Sequence, residues 1–189
     1  MSKTRGIVFQ GHRYWAPYGS AAPAVGLPDD SRFSHDGVFT NATWTQEPSG
    51  LWVNTFNGAT AIITVGDILN SVQSALMWIY PDDITTRSIV DFDGGTHSIE
   101  IDGASDITAT GWAAPVVYVN GAVATAVTIT WNFIAVTTTT AFLASALIIG
   151  EEASFFDGRI GLIELYNYVL SQDEINRIYQ SERSWFDGA

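Results

Sequence analysis

Two carboxylates, Glu100 and Asp102, stand on either side of Ile101, and this spacing could serve the hydrolysis of a glycosidic bond. Alternate side chains of a β-strand point to the same face, so the two carboxylates would lie side by side. A retaining glycosidase holds its acid and its nucleophile about 5 Å apart. Gly103 favours the end of the strand, which leaves Asp106 badly placed to complete such a pair. An exposed polar strand face is therefore the simpler interpretation.

Pairs of acidic residues form a second candidate, a calcium site, because hard cations bind several oxygens at once. The pairs are Asp82-Asp83, Asp91 with Asp93, and Glu151-Glu152. Loop carboxylates in contact with water are the simpler interpretation, since Asp and Glu are mostly exposed in folded proteins. We therefore expect no bound cofactor, with calcium as the open alternative.

Exposed aromatic rings are the third candidate, because a sugar or a protein partner can stack on them. The chain has seven tryptophans. Trp112 lies in a loop between predicted strands and Trp44 in an irregular segment, so these two are the predicted glycan-binding residues. Trp52, Trp78 and Trp131 lie in predicted strands and are interpreted as core residues. Packing of Trp112 and Trp44 over an end of the fold is the simpler alternative.

The charge of the chain is strongly acidic, with 20 Asp and Glu residues against 8 Lys and Arg and a net charge of −12. A nucleic-acid-binding protein needs a basic face, so this class is disfavoured. The charge is also uneven. Residues 1–28 carry +3 and residues 29–189 carry −15. The basic head could dock onto the acidic body of a neighbouring molecule.

Residues 1–28 are predicted to be an extended arm, and residues 29–189 a single domain. The stretch 19–26 consists of small residues and proline and is typical of a linker. The preceding stretch is rich in large rings, which usually lie against another surface. A disordered tail with solvated charges is the alternative. The residues predicted to bind a partner are Arg5, Phe9, Arg13, Tyr14 and Trp15.

Several classes of protein are disfavoured by what the sequence lacks. There is no cysteine, which excludes disulfides, thiolate metal sites and a cysteine nucleophile. No apolar run approaches the roughly 18 residues of a membrane span. The first residues are basic without a following apolar segment, so no secretory signal peptide is expected.

Short segments rich in Val, Ile and Thr, separated by turn residues, predict a fold built of β-strands. Asn57-Gly58, Gly94-Gly95 and Asn120-Gly121 are predicted to turn hairpins. Ser171 and Glu174 form a capping box, and apolar residues then recur at helical spacing, which predicts a helix over residues 172–181. The predicted strands are 53–56, 60–65, 75–80, 87–93, 97–102, 116–119, 122–128, 131–137, 145–149 and 159–166. The predicted fold class is all-β, a two-sheet antiparallel jelly-roll sandwich with one short C-terminal helix.

A series of motifs in this order resembles a laminin-G-like domain of the concanavalin A-like lectin and glucanase superfamily. The series is Phe56-Asn57-Gly58, Trp78-Ile79-Tyr80-Pro81, Val119-Asn120-Gly121, Ile149-Gly150, Asp157-Gly158-Arg159-Ile160, residues 165–171 and Glu174-Ile175. The stretches 30–37 and 48–52 resemble the lead-in of bacterial, archaeal and phage members. The resemblance covers about residues 29–180 and implies two curved antiparallel sheets.

The resemblance also bears on the candidate sites. Glucanases of this superfamily carry a second glutamate after the Glu-x-Asp motif, and Ala104 and Ser105 stand where it should fall. Calcium-binding members carry an acidic residue just after the Phe-x-Gly motif, where this chain has residues 59–61, Ala-Thr-Ala. Gly161 stands where related sequences often carry an aspartate. These departures disfavour both the hydrolase and the calcium site.

The hypothesis that follows is a non-enzymatic structural or interaction protein. We expect a virion surface protein, of the decoration or cement kind, that docks through its N-terminal arm on neighbouring capsid or self subunits as a homo-oligomer. Host glycans are a further expected partner, whereas nucleic acid and membrane are not. The alternative is a carbohydrate-binding lectin module, extracellular and calcium-dependent or calcium-independent, and a β-glucan hydrolase is the third reading. Fold alone does not choose among these functions.

Overall fold

Alternation of β-branched and aromatic residues with polar ones produces strands through most of the chain. The computed structural model describes the backbone of residues 5–9 and all atoms of residues 26–29, 33 and 35–186. In chain order the elements are β1 (Arg5–Phe9), β2 (Val38–Thr40), β3 (Thr43–Gln46), β4 (Trp52–Asn57), β5 (Ile62–Gly66), β6 (Ser71–Pro81), β7 (Arg87–Asp91), β8 (Ser98–Ile101), β9 (Ile107–Thr110), β10 (Val116–Val119), β11 (Ala122–Val123), β12 (Asn132–Leu143), β13 (Leu147–Ile149), β14 (Asp157–Tyr166), the helix α1 (Gln172–Glu182) and a 3₁₀ turn (Arg183–Trp185).

These strands form two sheets packed face to face. The larger sheet has the order β11-β10-β12-β6-β14-β4-β3, and β1 pairs with β14 beyond the end of β4. The smaller sheet has the order β2-β5-β13-β7-β8-β9. The strand pairs within both sheets are antiparallel. The prediction of an all-β sandwich with one C-terminal helix is confirmed.

The main core fills the space between the sheets, and side chains from strands of both sheets form it. Ile99 and Ile101 point inward from β8, while Glu100 between them faces outward. Phe56 of β4 packs edge-on against Phe156 at a ring distance of 5.9 Å. No helix within the described residues is long and apolar enough to cross a membrane.

A second apolar cluster lies on the outer face of the larger sheet, beneath α1. Ser171 caps this helix and Glu174 reaches back to the Ser171 backbone N–H at 3.0 Å, so the predicted capping box is present. Ile175 is fully buried against the sheet, and Ile178 and Tyr179 pack beside it. The prediction that this side of the helix faces the sandwich is therefore confirmed.

The 3₁₀ turn places the ring of Phe186 over Gly161 on the same outer face. The Phe186 ring stacks on Trp78 at 4.2 Å and 11°. A Cβ at Gly161 would lie only 2.7 Å from the Phe186 ring. The glycine at this position is thus explained by the ring that covers it.

Two of the three predicted hairpin turns connect paired strands. Asn120 and Gly121, with φ of 52° and 81°, join β10 to β11, and Gly94-Gly95 lies between the paired strands β7 and β8. Asn57-Gly58 does turn the chain, because the Asn57 side chain accepts three backbone N–H groups at 2.9–3.1 Å. However, β4 belongs to the larger sheet and β5 to the smaller one, so the hairpin predicted here is wrong.

Segment 122–128 is shorter as a strand than predicted, since β11 ends at Val123. The following residues cross to the smaller sheet, where the Thr125 carbonyl accepts from the Ile107 N–H at 2.8 Å. The segment therefore protects the edge of β9. The strands β2, β3 and β9 are absent from the predicted strands.

Candidate functional site

Among the described residues, a row of side chains on the outer face of the larger sheet lies beside α1 and its 3₁₀ turn and is partly exposed. Strand register builds this row. Arg159 of β14 is paired with Tyr80 of β6 on one side and with Thr55 of β4 on the other. Trp131 immediately precedes Asn132 of β12, which is paired with Ile79, so the indole comes to lie beside Tyr80.

The Arg159 guanidinium is the centre of this row. Its carbon lies 3.9 Å from the centroid of the Tyr80 ring and 5.6 Å from that of Trp131. The Nη1 group donates to Glu47 Oε1 at 2.7 Å. The cation is thereby stabilised both by ring quadrupoles and by a charge-assisted hydrogen bond. We call the four residues Glu47, Tyr80, Trp131 and Arg159 the aromatic–guanidinium strip.

Glu47 is held in place by a tight turn after β3. Its backbone N–H donates to the Leu51 carbonyl, and its carbonyl accepts from Gly50, both at 2.8 Å. The Glu47 side chain is 1% exposed, whereas that of Arg159 is 24% exposed. The carboxylate is therefore a fixed, buried partner, and the guanidinium is the part of the pair that solvent reaches.

Trp131 is half-buried, with one polar group left unused. Its ring meets Tyr80 edge-on at 5.7 Å and Phe186 at 4.8 Å. The indole Nε1 is itself buried and has no hydrogen-bond partner within the described residues. The interpretation of Trp131 as a core residue holds in part, because the ring packs against the second apolar cluster but lies at its border and is only half-buried.

This arrangement has the chemistry of a binding surface for a small polar ring. An indole and a phenol supply apolar area with little rotamer freedom to lose. The Arg159 guanidinium, which is 24% exposed, supplies donors beside that area. Glu47, the carboxylate of the strip, is already bonded to Arg159, so the strip lacks the pair of free carboxyl groups that glycoside hydrolysis requires.

A groove of about 340 Å³ lies between the end of β14 and α1 and is the main alternative location. The residues that line it are Tyr166, Tyr168, Leu170, Glu174, Arg177, Ile178 and Ser181. Its charged groups already serve the helix. Glu174 accepts from the Ser171 hydroxyl at 2.8 Å, and Arg177 Nε donates to the Asp173 carbonyl at 3.1 Å. The strip differs from this groove in that a guanidinium and two large rings lie side by side in it.

The predicted glycan-binding tryptophans lie away from the strip. Trp112 is 5% exposed and packs edge-on against Phe92 at 5.5 Å and Phe142 at 4.9 Å. The expectation of an exposed Trp112 ring is corrected, because its loop folds inward and adds the indole to the core. Trp44 is half-buried on β3 and contacts Phe39 at 5.6 Å.

The two carboxylates considered for a hydrolase pair, Glu100 and Asp102, bond different parts of the chain. Glu100 faces outward from the smaller sheet and accepts a hydrogen bond from Ser98. The strand ends at Ile101, and Asp102 Oδ1 accepts the backbone N–H groups of Ala104 at 2.7 Å and Asp106 at 3.0 Å. Asp102 is thus a turn-forming residue. The strand ends shortly before Gly103, as this glycine predicted.

Arg87 organises the acidic end of the sandwich. It bonds the Asp83 carboxylate, with Nε–Oδ1 at 3.0 Å, and lies 3.7 Å from Asp157. It also donates to the carbonyls of Phe155 at 3.1 Å and Gly58 at 3.4 Å. The Arg87 hydrogen bond holds the pKa of Asp83 well below its usual range, and the same bond raises the pKa of Arg87.

Whether the remaining acidic pairs bind calcium is not settled by their geometry, and calcium binding stays a prediction. Asp91 Oδ1 accepts the backbone N–H groups of Asp93 at 3.1 Å and Gly95 at 2.9 Å, and thus shapes its own loop. Across the residues that the structure describes, no group of three or more His, Asp or Glu side chains could hold a metal ion.

The predicted partner-binding residues fall at the N-terminus. Arg5 and Phe9 are the ends of β1, whose backbone is paired with Tyr166 and Ile163 of β14. Arg13, Tyr14 and Trp15 lie outside the described residues. Their role in docking stays a prediction.

Sequence reasoning missed three members of the strip, Glu47, Tyr80 and Arg159. One signal was present. Arg159 is the one cation of the mostly apolar strand β14, and alternation places it on the face opposite the buried Ile160. Nothing in the local sequence around Glu47 connects it to Arg159, since 112 residues separate the two.

Comparison with known proteins supports the fold. No protein-family model and no curated protein matches the chain. Domain 4 of the arabinanase AbnA from Geobacillus stearothermophilus, solved in complex with arabinotriose, is similar with a TM-score of 0.61 and 16% identity, over 94% of this chain and 99% of that one.

Two further solved structures are similar over part of their length. The Trypanosoma rangeli sialidase in complex with sialic acid has a TM-score of 0.59 and 15% identity, over 96% of this chain and 33% of that one. The botulinum neurotoxin serotype D binding domain has a TM-score of 0.59 and 11% identity, over 95% of this chain and 52% of that one. At these identities the likeness shows a shared β-sandwich fold.

Proposed function

We propose that this chain is a non-enzymatic carbohydrate-binding module and that the aromatic–guanidinium strip is its binding surface. The observation that carries the proposal is the half-buried indole of Trp131 beside a solvent-accessible guanidinium that is fixed on the Tyr80 ring. A sugar ring can lay its C–H face on the indole while its hydroxyls accept hydrogen bonds from Arg159.

The arabinanase domain gives the first ligand to test. It is matched over nearly its whole length, and its structure was solved with arabinotriose. The fold of this chain is thus compatible with a domain that binds a short neutral oligosaccharide. We therefore propose neutral oligosaccharides, arabinotriose first, as ligands.

The experiment is titration calorimetry with arabinotriose, preceded by a screen on a glycan array. Trp131→Ala should weaken binding about tenfold or more, because loss of a central aromatic contact costs upwards of about 1.4 kcal/mol. Trp44→Ala is the matched control, since Trp44 is also a half-buried tryptophan but contacts Phe39 rather than the strip. Binding that survives Trp131→Ala and is lost in Trp44→Ala would place the site at β3 instead.

The virion-surface hypothesis stays a second proposal, supported by the separation of charge between residues 1–28 and the acidic remainder. It predicts that the arm docks on a neighbouring subunit or capsid protein. Replacing Arg13, Tyr14 and Trp15 together by serine leaves the β1 segment intact and should abolish a homo-oligomer seen by light scattering. An oligomer of unchanged mass in this variant would remove the arm from the hypothesis.

A further inference from the structure

The cation of the strip is neutralised before any ligand arrives. Glu47 Oε1 lies 2.7 Å from Arg159 Nη1, and the Glu47 side chain is 1% exposed. The backbone of Glu47 is bonded on both sides of its turn, at 2.8 Å to Leu51 and to Gly50. The carboxylate therefore cannot swing away to make room for another anion without leaving a buried charge unpaired.

We infer that Glu47 is a specificity-determining residue that restricts the strip to neutral sugars and rejects acidic ones. This inference rests on the proposed carbohydrate-binding function. A carboxylate ligand binds an arginine best through two parallel N–H groups. Glu47 already occupies one N–H of Nη1, so any incoming anion would have to bind the remaining N–H groups with a second negative charge close by. A neutral hydroxyl meets neither obstacle, because it needs a single N–H from Arg159.

The net charge of the whole chain also disfavours acidic sugars, but it acts at long range. A net charge of −12 repels anionic glycans at long range, and salt screens this repulsion. The Glu47–Arg159 contact is short and half-shielded, so salt affects it little. The two sources of discrimination can therefore be separated by ionic strength.

The test is a glycan array that carries each core sugar with and without one terminal acidic residue, either sialic acid or a uronic acid. The wild type should bind the neutral member of a pair at least tenfold more tightly than the acidic one. Glu47→Gln keeps the shape of the side chain and a hydrogen bond to Arg159 but removes the charge. It should reduce this preference at least tenfold.

Glu100→Gln is the matched control, because it changes the net charge equally but lies on the outer face of the opposite sheet. It should leave the preference unchanged. The preference of the wild type should also persist between about 0.01 M and 1 M salt, over which the Debye length falls from roughly 30 Å to 3 Å. This salt series uses the wild type alone, so it remains decisive if Glu47→Gln does not fold.

The outcomes separate the inference from the proposed function. A wild type that binds no sugar overturns the proposed function and the inference with it. A wild type that binds neutral and acidic members equally, or a preference that vanishes in high salt, overturns the inference alone. An unchanged preference for neutral sugars in folded Glu47→Gln also overturns the inference and leaves the proposed function in place.

Discussion

Adding one methyl group at Gly161 should loosen the C-terminal segment from the sandwich. The Cβ of Gly161→Ala would lie 2.7 Å and 2.8 Å from two carbons of the Phe186 ring and 3.3 Å from Trp78 Cβ. Carbon atoms in contact are normally about 3.5 Å or more apart, so the ring must move by about 0.8 Å. It has little room, because it is 1% exposed and stacked on Trp78 with Trp131 at 4.8 Å.

The size of the effect follows from the cost of overpacking. Forcing an extra methyl group into a packed site costs about 1–3 kcal/mol. A loss of about 2 kcal/mol in a chain of this length corresponds to a fall in Tm of roughly 4–8 °C. Urea unfolding followed by tryptophan fluorescence measures the free energy of unfolding, and a thermal melt gives Tm.

A double-mutant cycle tests whether the Phe186 ring is the cause. Phe186→Ala alone should cost about 3–5 kcal/mol, since it empties a buried ring site. In that background Gly161→Ala should cost less than about 0.5 kcal/mol, because the clash is gone. An equal cost of Gly161→Ala in both backgrounds would refute the explanation of this glycine, and so would a neutral effect in the wild type.

The acidic end of the sandwich and its turns give further expectations. Arg87→Gln should destabilise the fold by roughly 1–2 kcal/mol, a modest value because solvent screens the half-exposed Asp83. Since the folded pKa of Asp83 is lowered, its contribution is fully present above the ordinary pKa of about 3.9 and is lost as the pH falls toward the folded value. The stability difference between wild type and Arg87→Gln, measured in urea, should thus be constant from pH 5 to 7 and shrink below about pH 4; a difference that grows in acid would contradict this account. Asn57→Ala should cost about 1–2 kcal/mol in the same assay, whereas Asn57→Asp, which retains the acceptor, should cost less. Equal losses in the two Asn57 variants would show that the turn does not depend on that acceptor.

Features of the fold that depend on near neighbours in the chain were predictable from the sequence. The capping box of Ser171 and Glu174 starts α1 at the expected residue, because cap and partner are three residues apart. Asn120-Gly121 turns β10 into β11, because both residues accept positive φ. Alternation along β8 predicted that Ile99 and Ile101 face the core and Glu100 faces outward, because side chains in a strand have a period of two.

The turn at Asn57-Gly58 shows where local information ends. Its geometry is set by the Asn57 side chain, which bonds the next residues of the chain. Whether the two strands that it joins pair with each other depends on other strands. β4 pairs with β3 and β14, and β5 with β2 and β13, so the turn links two sheets.

The candidate site was decided by the tertiary structure. Trp112 and Trp131 have similar local surroundings of small and β-branched residues, yet the first is buried and the second borders an open surface. Glu47, Tyr80, Trp131 and Arg159 come from four separate parts of the chain. Sheet order and register bring them together, and the position of α1 decides which row stays partly exposed. Sequence by itself determined which way the side chains face in a strand with clear alternation, such as β8. The neighbours on that face follow from long-range pairing, whose energy is shared among all the strands of the sheet.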